Sequence, residues 1–339
     1  LFSSHPRRIG KKRRAMTARS PTTTAAAARS KSFDLEDPSP SSPTKPRRFS
    51  RQPSRLALAL LCVLTVVLTL LRSVPRESSP QLKQTRQIRT RPFNKSVAYD
   101  HLIVVAGHAV TMAESLEKVA EEDAAWYLLE YQRRRDLPGE FVAHVKRGVE
   151  IAAKDPRSLL LFSGGQTRGD AGPRSEAQSY FFVAEHFDWF DRPEVASRAG
   201  TEEFARDSFE NLLFSICRFQ ELTTRYPLRQ ITVVSFDFKR FRFEALHAPA
   251  LRYPSTHFRY EPMNPFTTNP QSRFDLQAAA KGEATTVAPF KADPYGCSKD
   301  VLLEKRRARD PFNRSPPYGP NCPHMRDLLH YCGPNLFNA

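Results

Sequence analysis

The chain has 339 residues and carries 52 Lys and Arg against 36 Asp and Glu, a formal net charge of +16. Residues 1–95 hold 21 of the basic and 4 of the acidic side chains, so the rest of the chain is close to neutral and no nucleic-acid partner is expected for a folded domain there. Five cysteines in a chain of this length exclude a disulfide-dense secreted scaffold.

The N-terminal segment, residues 1–55, is rich in Arg, Lys, Ser, Pro, Thr and Ala and has few large apolar side chains. Such a segment cannot bury enough apolar surface to offset its chain entropy, so we predict a disordered basic arm. Its basic tract at residues 7–14 is typical of a nuclear signal or a contact with acidic lipid. The alternative is a solvated tail.

An apolar run from Leu56 to Leu71 contains no charged residue and no polar stripe at helical spacing. Sixteen helical residues span roughly 24 Å, and Arg55 and Arg72 can extend that reach by snorkelling. We predict one transmembrane anchor over residues 56–72, followed by a linker over 73–99, so the membrane is an expected partner. The alternatives are a buried globular helix and a targeting segment.

The orientation of this anchor stays open, because basic residues flank it on both sides. Two glycosylation sequons, Asn94-Lys95-Ser96 and Asn313-Arg314-Ser315, suit a lumenal domain but do not decide the topology. The expected location of this single-pass protein is an endomembrane of the ER or Golgi. A mitochondrial membrane is the alternative.

From residue 100 onward, short apolar runs alternate with helical patterns, which is typical of βαβ units and a parallel sheet. The predicted strands are His101–Gly107, Leu159–Gly165, a weak one around Val195, Ile231–Ser235 and His257–Pro262. The predicted helices are Glu140–Lys154, Ser175–Phe190, Glu202–Tyr226 and Lys239–Leu251. We therefore expect an α/β domain over residues 100–265. A Pro-rich, irregular extension over 266–339 is expected to pack on it.

Polar residues follow three of the predicted strands, at the end of a parallel sheet where ligands bind. They are Gly107 and His108, the run Ser163-Gly164-Gly165-Gln166-Thr167, and the cations Lys239 and Arg242. The Ser-Gly-Gly turn can present successive backbone N–H groups to an anion, or can simply need glycine conformations. The chain has no G-x-G-x-x-G or P-loop spacing and no G-x-S-x-G elbow, which disfavours dehydrogenases, P-loop NTPases and ordinary serine hydrolases.

Candidate acid–base and amide groups lie on the predicted helices: Glu176, Glu202, Asp207 and Asn211. Asp207 and Asn211 are four residues apart and share one helical face. His108 and His247 are further candidates, although a lone His is more often structural. Alone, each of these residues is typical of an ordinary helix surface or core.

Metal and thiol chemistry has weak support. Cys322 and Cys332 are ten residues apart without any C-x-x-C spacing, which disfavours zinc. A disulfide between these two is possible if the domain is lumenal, and Cys217 is expected in the core. No metal site is predicted, and the sequence identifies no cofactor.

The order of these motifs resembles the DUF218 domain family (YdcF/SanA-like). The resemblance rests on the strand ending in Gly107-His108, on Phe162 to Thr167, on Ser175-Glu176-Ala177 and on the block Glu202 to Leu212. Bacterial members carry a similar Glu-x-x-Ser-x-x-Thr-x-Glu-Asn pattern, with Ala205 and Ser208 replacing the Ser and Thr here. The segments Phe238–His247 and Asp293–Arg306 resemble the eukaryotic, fungal-type branch, which lacks the bacterial His near Lys239.

This resemblance implies a Rossmann-like three-layer sandwich with a mostly parallel sheet, and a shared pocket, but no substrate. We expect a membrane-anchored domain that binds a small anionic, nucleotide-like ligand and hydrolyses or transfers it. Glu202 or Glu176 would be the general base. The ligand-binding candidates are Gly107, His108, Ser163, Gly164, Gly165, Gln166, Thr167, Asp207, Asn211, Lys239 and Arg242. The alternative is a non-catalytic binding or interaction module.

Overall fold

The computed structural model describes residues 64–65, 97–227 and 229–338. The predicted basic arm lies outside the described residues, as do all but Leu64 and Thr65 of the predicted anchor and most of the linker. Within the described ranges, no helix has the length and apolar character needed to cross a membrane. The chain divides after Thr85 into two units, and the fold described below is that of Arg86–Ala339.

A five-stranded parallel sheet forms the centre of this unit. The strands are β1 (His101–Ala106), β2 (Val110–Thr111), β3 (Trp126–Tyr127), β4 (Ser158–Ser163), β5 (Ala199–Glu202), β6 (Gln230–Phe236) and β7 (Phe258–Met263). The order in the sheet is β5-β4-β1-β6-β7, and β2 and β3 form a separate antiparallel pair. Every residue of β1 and β4 is buried, as expected for strands covered on both faces.

The helices are α1 (Leu137–Ala153), α2 (Glu176–His186), α3 (Asp188–Asp191), α4 (Ser208–Thr223), α5 (Ala248–Ala250), α6 (Pro265–Thr268), α7 (Leu276–Ala292), α8 (Asp300–Ala308), α9 (Tyr318–Asn321) and α10 (Arg326–His330). A π-helical turn, Arg242–His247, precedes α5. The helix predicted from Lys239 to Leu251 is present as continuous helical backbone from Arg240 to Ala250, with the π-helical turn inside it and a 3-10 turn, Asp237–Lys239, before it.

The sheet separates two apolar cores. On one face, α1 and α2 pack against β1 and β4, with Phe141 and Tyr180 fully buried. On the other face, α4 packs with residues from the C-terminal extension, among them Phe290 and Tyr318. The predicted α/β sandwich with a parallel sheet is confirmed.

Two predicted elements differ from the structure. The weak strand expected around Val195 is β5, four residues later, and Val195 lies in a 3-10 turn. The helix expected from Glu202 begins at Ser208, because Asp207 caps it by accepting a hydrogen bond from the backbone N–H of Glu210. Glu202 is therefore the last residue of a strand.

The C-terminal extension is more regular than its proline content suggests, since α7 has 17 residues and α8 has 9. Two disulfides hold it, Cys217–Cys322 and Cys297–Cys332. Cys322 and Cys332 each pair with another cysteine, so the Cys322–Cys332 disulfide considered from the sequence does not form. Cys217 is fully buried as predicted, but as a disulfide partner that ties α4 to the extension.

Candidate functional site

A cavity of about 470 Å³ opens beyond the carboxyl ends of β1 and β6. Counting only the parallel strands, the sheet order is 3-2-1-4-5, so the chain leaves β1 toward one edge and returns at β6 toward the other. Crossovers on opposite sides leave a crevice between these two strand ends, which is where open α/β sheets bind ligands. The C-terminal extension closes the cavity through α7 and α8.

Cationic side chains outnumber carboxylates in the cavity wall. The cations are Arg135, Arg168, Arg206, Lys239, Arg242, Lys305 and Arg309, and the carboxylates are Glu176, Asp207, Asp275 and Glu283. Three of the cations are neutralised by ion pairs. Arg242 forms a two-pronged pair with Glu283 at 2.7 and 2.8 Å, Arg206 contacts Glu210, and Arg135 contacts Asp275.

The other four cations have no carboxylate within 4.0 Å among the residues that the structure describes: Arg168, Lys239, Lys305 and Arg309. Burial and the nearby Arg242 lower the pKa of Lys239 to about 7. Burial, Arg309 and Arg242 lower the pKa of Lys305 to about 8. The cavity wall therefore holds more cations than carboxylates, and these four cations form no direct ion pair with a described carboxylate.

His108 and Lys239 contact each other at the end of β1. The Lys239 Nζ lies 3.1 Å from His108 Nδ1, and His108 Nε2 lies 3.4 Å from the Ser235 hydroxyl. The His108 ring stacks on Phe236 at 4.7 Å. Burial and then Lys239 hold the pKa of His108 well below its usual value, so His108 is neutral at physiological pH and its Nδ1 can accept a hydrogen bond from the lysine.

Glu176, the first residue of α2, places its carboxylate in the cavity wall. Its Oε1 accepts a hydrogen bond of 2.7 Å from the Thr167 hydroxyl. A Cβ on Gly107 would lie 2.6 Å from the Cβ of Glu176, and one on Gly164 would lie 2.8 Å from its Oε2. These glycines are required because the Glu176 side chain passes against the backbone at both positions.

The Ser-Gly-Gly turn does not form the anion nest that its sequence suggests. The backbone N–H of Gly164 donates to the carbonyl of Glu202, and that of Gly165 donates to the carbonyl of Ala205, at 3.0 and 2.7 Å. A Cβ on Gly165 would lie 2.8 Å from the same Ala205 oxygen. The two amides therefore join the turn to the end of β5 and to the segment that follows it, and neither is available to a ligand.

Glu202 lies outside the cavity wall, contrary to its expected role as general base. The carboxylate is fully buried and accepts hydrogen bonds from the Ser163 hydroxyl, the Phe204 backbone N–H and the Tyr318 hydroxyl, at 2.8, 2.8 and 3.0 Å. Burial raises the pKa of Glu202 to about 7 despite these donors. This network joins β4, β5 and the extension.

Of the predicted site residues, the structure brings eight into the cavity wall: Gly107, His108, Thr167, Glu176, Asp207, Asn211, Lys239 and Arg242. Five lie outside the wall: Ser163, Gly164, Gly165, Gln166 and Glu202. Asp207 lines the cavity but is neutralised by Arg306 at 2.7 Å, and the Gln166 amide donates to the Pro173 carbonyl.

Sequence reasoning missed the cavity residues of the extension, Glu283, Lys305 and Arg309, and missed Ser208 on α4. Lys305 is one of four basic residues within a stretch of five, from Lys305 to Arg309, and nothing in that pattern separates a cavity lysine from a solvated one.

An apolar wall faces part of the cavity. The rings of Phe236, Phe238 and Phe274 lie nearly parallel, with interplanar angles of 11 to 20°. Leu137 and Ala278 continue this surface. Within the described residues, no group of three or more His, Cys, Asp or Glu side chains could hold a metal ion.

The chain is similar to a curated protein of Saccharomyces cerevisiae described as "Uncharacterized protein YOR238W". The two are 31% identical over 235 residues, which cover 58% of this chain and 77% of the yeast protein. No protein-family model matches the chain, and no solved structure matches it. On that identity and coverage, the chain belongs to the same family as the yeast protein.

Proposed function

We propose that this domain binds a small phosphate-bearing ligand in the cavity and hydrolyses or transfers its phosphoryl group. The observation that carries the proposal is the set of four cations, Arg168, Lys239, Lys305 and Arg309, that line one cavity without an ion pair among the described residues. Partly desolvated cations destabilise a fold unless a counter-charge offsets them. A phosphate would supply that counter-charge on binding.

The shape of the cavity supports a ligand with a flat apolar part. The parallel rings of Phe236, Phe238 and Phe274 offer a surface on which a planar group can stack. A volume of about 470 Å³ fits a mononucleotide-sized molecule. The ligand is therefore nucleotide-like in outline, with its phosphate toward Lys239 and Lys305.

The wall also holds a group that can accept a proton. Glu176 accepts the hydrogen bond from Thr167 through Oε1, which leaves its second carboxylate oxygen, Oε2, to accept a proton. The cations of the cavity wall would stabilise the negative charge that develops on a phosphoryl group. The resemblance to the DUF218 family supports a ligand pocket at these strand ends.

Thermal unfolding of the full chain with a panel of anions tests this proposal. We expect inorganic phosphate, pyrophosphate and adenosine monophosphate to raise the Tm, while sodium chloride at matched ionic strength and adenosine do not. Failure of every phosphate compound to raise the Tm would contradict the proposal. For the compounds that bind, release of inorganic phosphate distinguishes an enzyme from a non-catalytic binding module.

A further inference from the structure

Ser208 lines the cavity and is hydrogen-bonded to His247, which is fully buried behind it. Ser208 is the first residue of α4 and lines the cavity, and its Oγ lies 2.7 Å from the Nε2 of His247 in the π-helical turn. The residues are 39 positions apart in the chain. A hydroxyl this close to an imidazole nitrogen has the geometry of an activated nucleophile.

Arg242 fixes the direction of the Ser208 hydroxyl. Its Nε and one terminal nitrogen are held by Glu283, and the other terminal nitrogen donates to Ser208 Oγ at 2.5 Å. A guanidinium has only donors, so Ser208 Oγ accepts there. The hydroxyl hydrogen remains free to point to the Nε2 of His247 when that nitrogen is unprotonated.

The surroundings of His247 keep its ring neutral. Burial and then Arg242 hold the pKa of His247 well below its usual value, so the ring is neutral at physiological pH. Its Nδ1 has no hydrogen-bond partner among the described residues, and the rings of Phe243 and Phe290 meet the imidazole edge-on at 5.4 and 4.7 Å. A neutral imidazole carries its proton on one nitrogen, and with the proton on Nδ1 the Nε2 lone pair accepts a hydrogen bond from Ser208.

From this geometry we propose that Ser208 is the nucleophile of the phosphoryl chemistry, that His247 is its general base, and that the reaction passes through a phosphoserine. The inference rests on the proposed function and goes beyond it. Arg242 contacts the reacting oxygen and stabilises the charge that develops there, while Lys239 and Lys305 neutralise the phosphoryl oxygens.

Each half of the reaction balances. In the first half, Ser208 Oγ bonds to phosphorus while the bond from phosphorus to the leaving oxygen breaks. The hydroxyl proton passes to His247 Nε2 and then to the leaving oxygen. In the second half, water attacks the phosphoserine and gives its proton to Nε2, the bond between phosphorus and Oγ breaks, and Oγ recovers the proton. The sum is the hydrolysis of a phosphate monoester by one water.

The experiment is detection of the covalent intermediate. The full chain is incubated with p-nitrophenyl phosphate, quenched in acid, digested and examined by mass spectrometry for a phosphoryl group on Ser208. We expect Ser208 to be phosphorylated in the natural protein and the label to be absent in Ser208→Ala. His247→Gln should slow labelling at least tenfold while the protein still shows a Tm increase with inorganic phosphate.

Ser215→Ala is the matched control. Ser215 lies on the same helix, is fully buried, and has no hydrogen-bond partner for its hydroxyl among the described residues, so this variant should fold and label normally. If the natural protein binds inorganic phosphate but carries no phosphoserine, the inference is overturned and the proposed binding function stands. If inorganic phosphate does not bind, the proposed function fails and the inference fails with it.

Discussion

Lys239 is a cation without a carboxylate partner in a cavity wall, where a charged ammonium loses part of its hydration. Because burial and Arg242 both disfavour the protonated amine, the pKa of Lys239 is lowered to about 7. A side chain that only stabilised the fold would gain by being apolar here. We infer that the lysine serves ligand binding at the expense of stability.

Lys239→Met should therefore raise the Tm of the ligand-free protein and weaken binding of inorganic phosphate about tenfold, or 1.4 kcal/mol. Thermal unfolding and calorimetric titration measure the two effects. The matched control is Lys118→Met, since Lys118 is exposed and paired with Glu122, and we expect it to change neither quantity. A Tm that falls together with unchanged phosphate affinity would contradict the role given to Lys239.

Glu202 is the residue at which the sequence and the structure differ most. Its folded pKa of about 7 lies above the ordinary value of 4.5, so the folded state binds the proton more tightly than the unfolded state. This residue therefore stabilises the fold most below pH 4.5, and the contribution is lost as the pH rises toward 7. The full change is about 3 kcal/mol.

Glu202→Gln removes this titration. The stability of the natural protein relative to the variant should fall by about 3 kcal/mol between pH 4.5 and pH 8, as measured by urea unfolding at both pH values. Phosphate affinity should stay within about twofold, because Glu202 does not line the cavity. Glu121→Gln, at an exposed position, is the control. An equal stability difference at the two pH values would contradict the burial of a titrating carboxylate here.

The cavity residues that could be predicted from the sequence are those that closely follow a strand. Gly107, His108 and Lys239 reach the cavity because the strand ends fix where the chain emerges. Glu202 also ends a strand, β5, but β5 lies at the edge of the sheet and its carboxylate faces Ser163 and Tyr318. Which way a side chain points at a strand end depends on a register that the sequence alone did not reveal.

At the level of elements, the strands were predicted well because β1, β4 and β6 are short, mostly apolar runs that a parallel sheet buries on both faces. Helix starts were predicted less well. The capping residue Asp207 looked like a helix-surface carboxylate until the structure showed its hydrogen bond to Glu210. The residues that cap helices and those that line sites are the same polar types, which is why the sequence left them unresolved.

The packing of α1 on β1 depends on a glycine inside the helix. A Cβ on Gly148 would lie 2.3 Å from the Val105 Cγ2, and a valine side chain has little rotamer freedom with which to move away. We therefore expect Gly148→Ala to destabilise the protein by about 1–3 kcal/mol, although alanine is the better helix former.

Gly282→Ala is the matched comparison for this prediction, because Gly282 also lies within a helix, α7, and an added Cβ would meet nothing within 4 Å. It should stabilise the protein by about 0.5–1 kcal/mol. Urea unfolding measures both variants. If the two substitutions shift stability in the same direction, the close approach of α1 to β1 does not hold in solution.

At the scale of the whole molecule, both the α/β domain and the C-terminal extension contribute residues to the cavity. The α/β domain supplies the strand ends, and the extension supplies Glu283, Lys305 and Arg309, held in place by the Cys217–Cys322 disulfide and by the hydrogen bond from Tyr318 to Glu202. A bridge that closes a loop of about 100 residues stabilises a fold by up to about 4.7 kcal/mol. The Pro-rich composition of the extension gave no signal for this role.

The apolar run Leu56–Leu71 predicts that the full chain stays with the membrane pellet during alkaline carbonate extraction. The double substitution Leu64→Arg and Val67→Arg should move the protein into the supernatant, since each charge opposes insertion by about 2.5–3.5 kcal/mol. Substituting Leu64 and Val67 by alanine is the control and should leave the protein in the pellet. Natural protein in the supernatant would contradict the anchor.

We propose above all that the cavity at the ends of β1 and β6 binds an anion. Calorimetric titration of the full chain with pyrophosphate, at low and at physiological salt, tests it directly. We expect saturable binding to one site, weaker at the higher salt, and at least tenfold weaker in the double variant Lys239→Met and Lys305→Met. The absence of saturable binding would contradict the proposal. So would a double variant that binds pyrophosphate as tightly as the natural protein and has a Tm at least as high.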